Sequence, residues 1–178
     1  TNKPMNFLGG KGQVRHFPKG VVGIISPWNL PFGLTVAPLT SALAAGNRAL
    51  LKPSEFVPET AALFAEVVPK YFSNDEVAVV TGGAEVSQQF AQLPFDHLLF
   101  TGSTRVGAQV MQAASKNLVP VTLELGGKSP NLVFADSDLD AAVARGASFC
   151  FANTGQSCNA ATRMLVERSV YDRAVEVA

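Results

Sequence analysis

The stretch Val21–Pro31, VVGII followed by SPWNLP, shows the pattern that is repeated along the rest of the chain. Five apolar residues in a row are typical of a strand that is covered on both faces of a parallel sheet. The loop that follows holds two prolines, which stiffen its backbone, and presents Ser26 and Asn29. Ligands of open parallel sheets bind beyond the carboxyl ends of the strands, so we expect functional residues directly after each apolar run.

Further apolar runs alternate with segments of helical periodicity. The other predicted strands are Ala49–Leu51, Val77–Val80, His97–Phe100, Val121–Leu125 and Asn131–Phe134, and the predicted helices are 32–45, 60–68, 85–93, 105–117 and 139–151. This alternation predicts an α/β fold: a doubly wound, mostly parallel sheet with helices on both faces. The helix 32–45 is apolar on nearly all sides, so we expect it to be buried and to end at Gly46-Asn47.

Composition excludes several classes of function. The 178 residues carry 14 basic and 14 acidic side chains, so no net charge draws the chain to nucleic acid or to an anionic membrane. No apolar run approaches the roughly 18 residues of a membrane span, and no signal peptide is recognisable. Two cysteines and two histidines make a poor metal set, so we predict no metal and a reducing, cytoplasmic location. The abrupt ends suggest a piece of a longer protein.

The two cysteines have different surroundings. Cys150 lies in an apolar stretch and is predicted to be structural filler, the common fate of a lone cysteine. Cys158 follows a Gly-Gln-Ser turn and has small neighbours, which leave room for a ligand to approach the sulfur. A thiol becomes nucleophilic as the thiolate, in a polar and partly open setting. We therefore favour Cys158 as a catalytic nucleophile.

Polar residues follow the first two strands. The Asn29 amide could donate to an oxyanion at a carbonyl carbon, or could cap the next helix, and the residues alone do not decide. Lys52 and Glu55 could hold the two hydroxyls of a ribose, and a carboxylate there would favour NAD over NADP. The alternatives are that Ser54 caps a short helix and that Lys52 is a solvated surface charge.

Two further strand ends carry candidate groups. Thr101–Gly107, TGSTRVG, offers a glycine, hydroxyls and free N–H groups at a helix start, as a pyrophosphate site requires, although a plain helix start is also plausible. Glu124 is the single charge in an apolar strand. We expect it to be buried, which would raise its pKa and suit a general base; a structural ion pair is the alternative.

Taken together, the sequence closely resembles the aldehyde dehydrogenase superfamily. The motifs that carry the resemblance are SPWN, KPSE, FTGSTRVG, LELGGKSP and GQSC, which occur in the family's order from about Val14 onward. Within the superfamily the chain looks most like the coniferyl-aldehyde-dehydrogenase-type branch. The resemblance implies a Rossmann-like cofactor domain at 1–126, and a truncated start of the catalytic domain at 127–178.

The resemblance also implies NAD(P)-dependent oxidation of an aldehyde to a carboxylic acid. Cys158 would attack the aldehyde, Asn29 and the Cys158 N–H would hold the oxyanion, and Glu124 would activate water to hydrolyse the thioester. NAD, with NADP as the alternative, would be bound through positions that match the family's cofactor cleft: Ile25, Ser26, Trp28, Lys52, Ser54, Glu55, Phe100, Gly102, Ser103, Val106, Gly107, Leu125 and Gly126.

The sequence departs from the family in length. It lacks the downstream E-x-F-G-P segment, most of the catalytic domain and the hairpin that builds the family's homo-oligomers. We therefore expect little turnover from this chain alone, and a catalytically silent nucleotide-binding module is the main alternative. A CoA-acylating relative is disfavoured by Glu124, and a cysteine hydrolase by the lack of a partner histidine motif.

Overall fold

A computed structural model describes residues 4–7 and 10–178, and alternating strands and helices make up most of that part of the chain. The strands are β1 (Pro4–Phe7), β2 (Gly10–Gln13), β3 (Val21–Ile25), β4 (Arg48–Lys52), β5 (Val77–Val79), β6 (His97–Gly102), β7 (Val121–Leu125), β8 (Pro130–Val133) and β9 (Arg163–Val166). The helices are α1 (Gly33–Ala44), α2 (Pro58–Val67), α3 (Ala84–Phe90), α4 (Thr104–Ser115), α5 (Leu139–Phe151) and α6 (Tyr171–Val177). The predicted strands and helices are all present, with ends that differ by up to three residues.

The described residues divide into two compact units. The first comprises the chain up to Thr101 together with Gly107–Leu123, and the second comprises Gly102–Val106 and Glu124–Ala178. No helix in the described ranges is both long enough and apolar enough to cross a bilayer.

The main sheet has the strand order β5-β4-β3-β6-β7 among the described residues. β3 pairs in parallel with β4 and with β6, and β4 pairs in parallel with β5. The chain therefore adds β4 and β5 on one side of β3. It then crosses back and adds β6 and β7 on the other side of β3. This confirms the predicted α/β fold, and it places the reversal of strand order, where such sheets bind ligands, between β3 and β6.

The core of the first unit lies between the sheet and helices α1 and α2. Alternate residues of β3, Val22 and Ile24, pack with Leu51 of β4 and with buried side chains of the two helices. On the opposite face, Gly23 leaves room for the Phe95 ring, since a Cβ on Gly23 would lie 2.6 Å from a ring carbon. The apolar runs are strands because both faces of the sheet are covered at these positions.

Helix α1 is buried along one stripe rather than on all sides, which corrects our expectation. Its buried residues are Thr35, Leu39 and Ala42, spaced three or four apart, because a single face meets the sheet. The helix ends as predicted: Gly46 adopts φ +81° and donates to the Leu43 carbonyl at 2.9 Å, and the Asn47 N–H donates to the Ala42 carbonyl at 3.0 Å. These two bonds satisfy carbonyls that the helix end would leave unpaired.

The second unit has its own small core. Strands β8 and β9 pair in parallel in a separate sheet, and Val133 is buried together with Val143 of α5 and Ala174 of α6. Helix α5 begins as predicted after Asp138, whose carboxylate accepts a hydrogen bond from the Ala141 N–H at 3.3 Å. This cap satisfies a backbone N–H that the first turn leaves without a partner.

Candidate functional site

Three strand ends meet side by side in the first unit. Ile25 at the end of β3 pairs with Lys52 on one side and with Phe100 of β6 on the other. All three residues are buried, and the N–H of Ser26 continues the ladder to the Lys52 carbonyl at 3.2 Å. The structure thus brings the predicted residues Ile25, Ser26, Lys52 and Phe100 together at the edge where the strand order reverses.

The end of β4 carries a buried ammonium group. The Lys52 side chain is 1% exposed, and its Nζ donates to the Pro53 carbonyl at 2.8 Å and lies 3.8 Å from a Glu55 carboxylate oxygen. Burial lowers the pKa of Lys52 from its ordinary value, and the Glu55 carboxylate opposes that effect. The interpretation of Lys52 as a solvated charge is therefore wrong. A buried, oriented ammonium beside a carboxylate suits recognition of vicinal hydroxyls.

Neither Asn29 nor Ser54 is the N-cap of the helix that follows it. The N-cap positions of α1 and α2 are Phe32 and Val57, and neither makes a side-chain capping bond. The Ser54 hydroxyl instead accepts a hydrogen bond from the Phe56 N–H at 3.3 Å, and Ser54 is buried. Asn29 is half-buried in the loop after β3, next to the partly exposed Trp28. The structure places neither residue at the N-cap of the following helix, and the binding roles stay predictions.

The loop after β6 starts helix α4. The Ser103 hydroxyl accepts a hydrogen bond from the Val106 N–H at 3.3 Å, as an N-cap does, which agrees with the simpler interpretation of this loop. A hydroxyl that accepts one bond keeps its proton for a second partner, so the cap does not prevent Ser103 from donating to a phosphate. Gly102, Ser103 and Val106 belong to the second unit, and the buried Gly107 belongs to the first.

Cys158 lies on a tight turn of the second unit, as predicted. The Ala160 N–H donates to the Ser157 carbonyl at 3.1 Å, which closes the turn around Cys158 and Asn159. Ala160 is 2% exposed and anchors the turn, whereas the cysteine itself is exposed. The Ser157 hydroxyl donates to the Asn159 side-chain oxygen at 2.6 Å, so both neighbours of the thiol are tied to each other. Cys150 is half-buried on α5.

The chain enters this turn through left-handed backbone. Asn153, Thr154 and Gly155 have φ values of 50°, 59° and 74°, and the Gln156 N–H closes the turn on the Asn153 carbonyl at 3.1 Å. Glycine adopts this region at no steric cost, but a β-branched threonine does so only under strain. The backbone before Cys158 therefore stores strain at Thr154.

The segment after β7 passes the cysteine turn within the second unit. A Cβ on Gly127 would lie 3.7 Å from the Cys158 carbonyl oxygen, and the Arg163 Nε donates to the Lys128 carbonyl at 2.8 Å. The predicted site residues Leu125 and Gly126 lie directly before this crossing, the former half-buried and the latter exposed. The two predicted catalytic residues Glu124 and Cys158 thus belong to one unit, and Asn29 belongs to the other.

Glu124 is exposed, which corrects our expectation that it is buried. It lies on β7, an edge strand of the sheet among the described residues, and β7 contains no buried residue. The apolar run VTLEL predicted a strand covered on both faces, but a run of this kind does not reveal whether a strand lies at the edge of its sheet.

Sequence reasoning missed Thr35. This residue is fully buried in the first turn of α1, and its hydroxyl contacts both Ser26 and Pro31. The available signal was a threonine four residues after the second proline of the loop. That position predicts a helical back-bond and nothing more.

The fold and these strand ends define an α/β protein of the Rossmann-like class, with its polar groups at the reversal of strand order. The aldehyde dehydrogenase family model matches residues 3–178, and the chain belongs to that family.

Individual relatives agree with the family match. The chain is 53% identical over 154 residues to a probable coniferyl aldehyde dehydrogenase of Caulobacter vibrioides, covering 86% of this chain and 32% of that protein. It is 48% identical over 166 residues to a coniferyl aldehyde dehydrogenase of a Pseudomonas species, covering 93% of this chain and 34% of that protein. The solved structure of an aldehyde dehydrogenase C mutant of Pseudomonas syringae, complexed with NAD⁺ and octanal, superposes with a TM-score of 0.85 at 41% identity. The match covers 91% of this chain and 34% of that protein. The chain spans about a third of the length of these proteins.

Proposed function

We propose that this chain supplies the cofactor-binding residues and the nucleophile of an aldehyde dehydrogenase, which oxidises an aldehyde to a carboxylic acid with NAD(P)⁺. Membership of the family supports the reaction class. The observation that carries the role of the thiol is the turn of Cys158, which is exposed, closed by a backbone bond and anchored by buried Ala160. A nucleophile needs such a fixed position with an open approach to the sulfur.

The proposed chemistry has two stages. The Cys158 thiolate forms a carbon–sulfur bond to the aldehyde carbonyl, and the oxyanion accepts hydrogen bonds from the Asn29 amide and the Cys158 N–H. A bound nicotinamide cofactor would supply the hydride acceptor, and the oxidised carbon would remain on the Cys158 sulfur as a thioester. Glu124 takes a proton from water, the hydroxide attacks the thioester carbon, and the carboxylic acid leaves while the thiolate is restored.

The cofactor fits the residues that are present. Lys52 is buried and oriented beside Glu55, as a ribose with two free hydroxyls requires, and Ser103 retains a proton to donate to a phosphate. The Glu55 carboxylate repels a 2′-phosphate, so we propose NAD rather than NADP as the preferred cofactor. Replacing Glu55→Gln removes the charged acceptor for the ribose hydroxyls and also the repulsion of a 2′-phosphate, so NAD binding should weaken more than NADP binding in calorimetric titrations. Equal losses would contradict the ribose assignment.

We further propose an aromatic aldehyde as the substrate. Three relatives named coniferyl aldehyde dehydrogenase, or probable coniferyl aldehyde dehydrogenase, support this class, since coniferyl aldehyde carries an aromatic ring. Comparing kcat/KM for an aromatic and a long aliphatic aldehyde tests the choice. A clear preference for the aliphatic compound would contradict it.

The decisive experiment measures NADH formation by absorbance in the presence of an aldehyde. Because we expect little turnover from this chain alone, we expect slow NADH formation that is lost in Cys158→Ser and retained in Cys150→Ser, the matched control. The main alternative is a silent nucleotide-binding module. Folded protein that binds NAD in calorimetry but forms no NADH from any aldehyde would support that module.

The proposed function also includes a domain boundary, an oligomeric state and a location in the cell. We propose that residues 1–126 form the main part of the NAD-binding domain and that 127–178 begin the catalytic domain. The division of the described residues at Leu123 and Glu124 supports a boundary in this region. A homo-oligomeric parent protein and a cytoplasmic location stay predictions, which sedimentation and cell fractionation would check.

A further inference from the structure

We propose that Thr35 is a positioning residue that holds both ends of the loop Ser26–Pro31, here called the Asn29 loop. Thr35 lies in the first turn of α1 and is fully buried. Its Oγ1 lies 2.6 Å from the Ser26 hydroxyl oxygen and 2.7 Å from the Pro31 carbonyl oxygen. One side chain thus contacts the first and the last residue of the loop.

The chemistry of the three groups sets the direction of these bonds. A carbonyl oxygen only accepts, and a hydroxyl has one proton to donate and lone pairs to accept with. Thr35 therefore donates to Pro31 and accepts from Ser26, a residue that is 3% exposed. The Ser26 N–H is bonded to the Lys52 carbonyl at 3.2 Å, which ties the same end of the loop to strand β4.

An ordinary helical back-bond does not account for this arrangement. Thr40 and Ser41 of the same helix donate to the carbonyls four residues earlier, at 2.9 and 3.1 Å, and both are exposed. The Thr35 acceptor, Pro31, lies before the start of α1, and its second partner is nine residues away in sequence. Of these three hydroxyl side chains, only that of Thr35 contacts the loop.

The consequence for function rests on the proposed role of Asn29. Pro27 and Pro31 restrict the loop backbone, and Thr35 fixes the positions of its two ends. A donor to an oxyanion must be held in place before the reaction, since a displacement of about 1 Å can lower the rate roughly 100-fold. Thr35 therefore acts on the reaction through the position of the Asn29 amide.

Trp28 makes the proposal testable in this chain without any turnover. It is the single tryptophan, and it lies in the Asn29 loop. Thr35→Val removes the hydrogen bonds to Ser26 and Pro31 while the volume of the side chain stays nearly the same. We expect stronger acrylamide quenching of Trp28 and lower fluorescence anisotropy, with an unchanged far-ultraviolet spectrum. Thr35→Ser keeps the hydroxyl and should match the wild type. Thr40→Val, which removes the exposed back-bond on the same helix, should also match it.

Folded Thr35→Val with wild-type quenching and anisotropy would overturn the proposal. If that variant does not fold, Ser26→Ala keeps the Thr35–Pro31 bond and the backbone bond to Lys52, and removes only the Thr35 contact at the first end of the loop. Stronger quenching of Trp28 in Ser26→Ala then supports the proposal, and wild-type quenching overturns it.

Turnover supplies a second readout that separates this proposal from the proposed function. In an active protein that contains this chain, we expect Thr35→Val to lower kcat by about 10- to 100-fold with little change in KM. Wild-type kcat in Thr35→Val, beside a large loss in Asn29→Ala, would overturn the positioning role. Full activity in Asn29→Ala would instead contradict the proposed function of the amide, and the Trp28 measurement would still decide whether Thr35 holds the loop.

Discussion

The loops after β3 and β4 and the turn of Cys158 are held in place by different means. Ser26, Lys52 and Ser54 are buried, and hydrogen bonds tie them to neighbouring backbone or to Thr35. Cys158 is exposed on a short turn that is entered through left-handed backbone. The difference teaches that these three polar residues, all proposed to bind the cofactor, are fixed by the core of the first unit. The nucleophile depends on local backbone geometry instead.

The comparison predicts that the largest loss of stability will come from the core beneath the cofactor loops. Leu51 is fully buried, so Leu51→Ala should lower the free energy of unfolding by about 2–5 kcal/mol through lost burial and a residual cavity. Leu165, on β9 of the second unit, is 50% exposed and is the matched control. Leu165→Ala should change the free energy by less than about 0.5 kcal/mol in urea unfolding. Equal effects would remove the distinction between the two regions.

The next effect concerns the buried ammonium group. Lys52→Met keeps an unbranched side chain of similar length but loses the charge and its donors. We expect NAD binding to weaken about 10- to 100-fold in calorimetry, the range for a lost charged hydrogen bond. Lys70, which forms an exposed pair with Glu66 on the surface, provides the control Lys70→Met. If Lys52→Met binds NAD like the wild type, the first unit does not recognise the cofactor through this group.

A smaller effect, a gain in stability rather than a loss, is expected at the turn of Cys158. Thr154→Gly removes the Cβ that makes left-handed backbone costly, so the free energy of unfolding should rise by about 1 kcal/mol. Gly155→Ala places a Cβ in the same region of backbone space and should lower it by a similar amount. Urea unfolding of both variants checks the strain. A destabilised Thr154→Gly would show that the threonine side chain contributes more than its backbone costs.

The smallest effect is a pH dependence from His97, in the first unit. Its Nε2 lies 2.8 Å from the Thr122 hydroxyl oxygen, and its Nδ1 is buried without a hydrogen-bond partner among the described residues. Burial, and then the charge of Lys19, lower the pKa of His97 below its ordinary value. The folded state therefore binds this proton less readily than the unfolded chain does. Stability from this residue is complete above about pH 6.5 and is lost as the pH falls towards the folded-state pKa.

Replacing His97→Gln removes the titrating group and should flatten this part of the pH dependence. The measurement is the difference in unfolding free energy between wild type and variant at pH 7.5 and at pH 5.5. The difference should shrink or reverse at the lower pH. A constant difference would show that His97 protonates equally easily in both states.

Much of the fold was predictable because apolar runs and helix stop signals act locally. VVGII and VTLEL coincide with β3 and β7, and helix α5 has the predicted ends. The exposed turn of Cys158 was also predicted, from glycine and small polar neighbours. Exposure of Glu124 and burial of Lys52 were not predicted, since they depend on strand order and on which strand lies at the edge of the sheet. Thr35 escaped notice because its partners are set by the packing of α1 against the loop.

The central claim is that Cys158 carries the substrate during the reaction. The most direct measurement is peptide mass spectrometry after an acid quench of protein mixed with aldehyde and NAD⁺. We predict an acyl group on the peptide that contains Cys158, present only when both compounds are added, and no acyl group on Cys150. An acyl group on Cys150 of the wild-type protein would contradict the account. NADH formation by the Cys158→Ser protein, with no acyl group on its remaining cysteine, would contradict it as well.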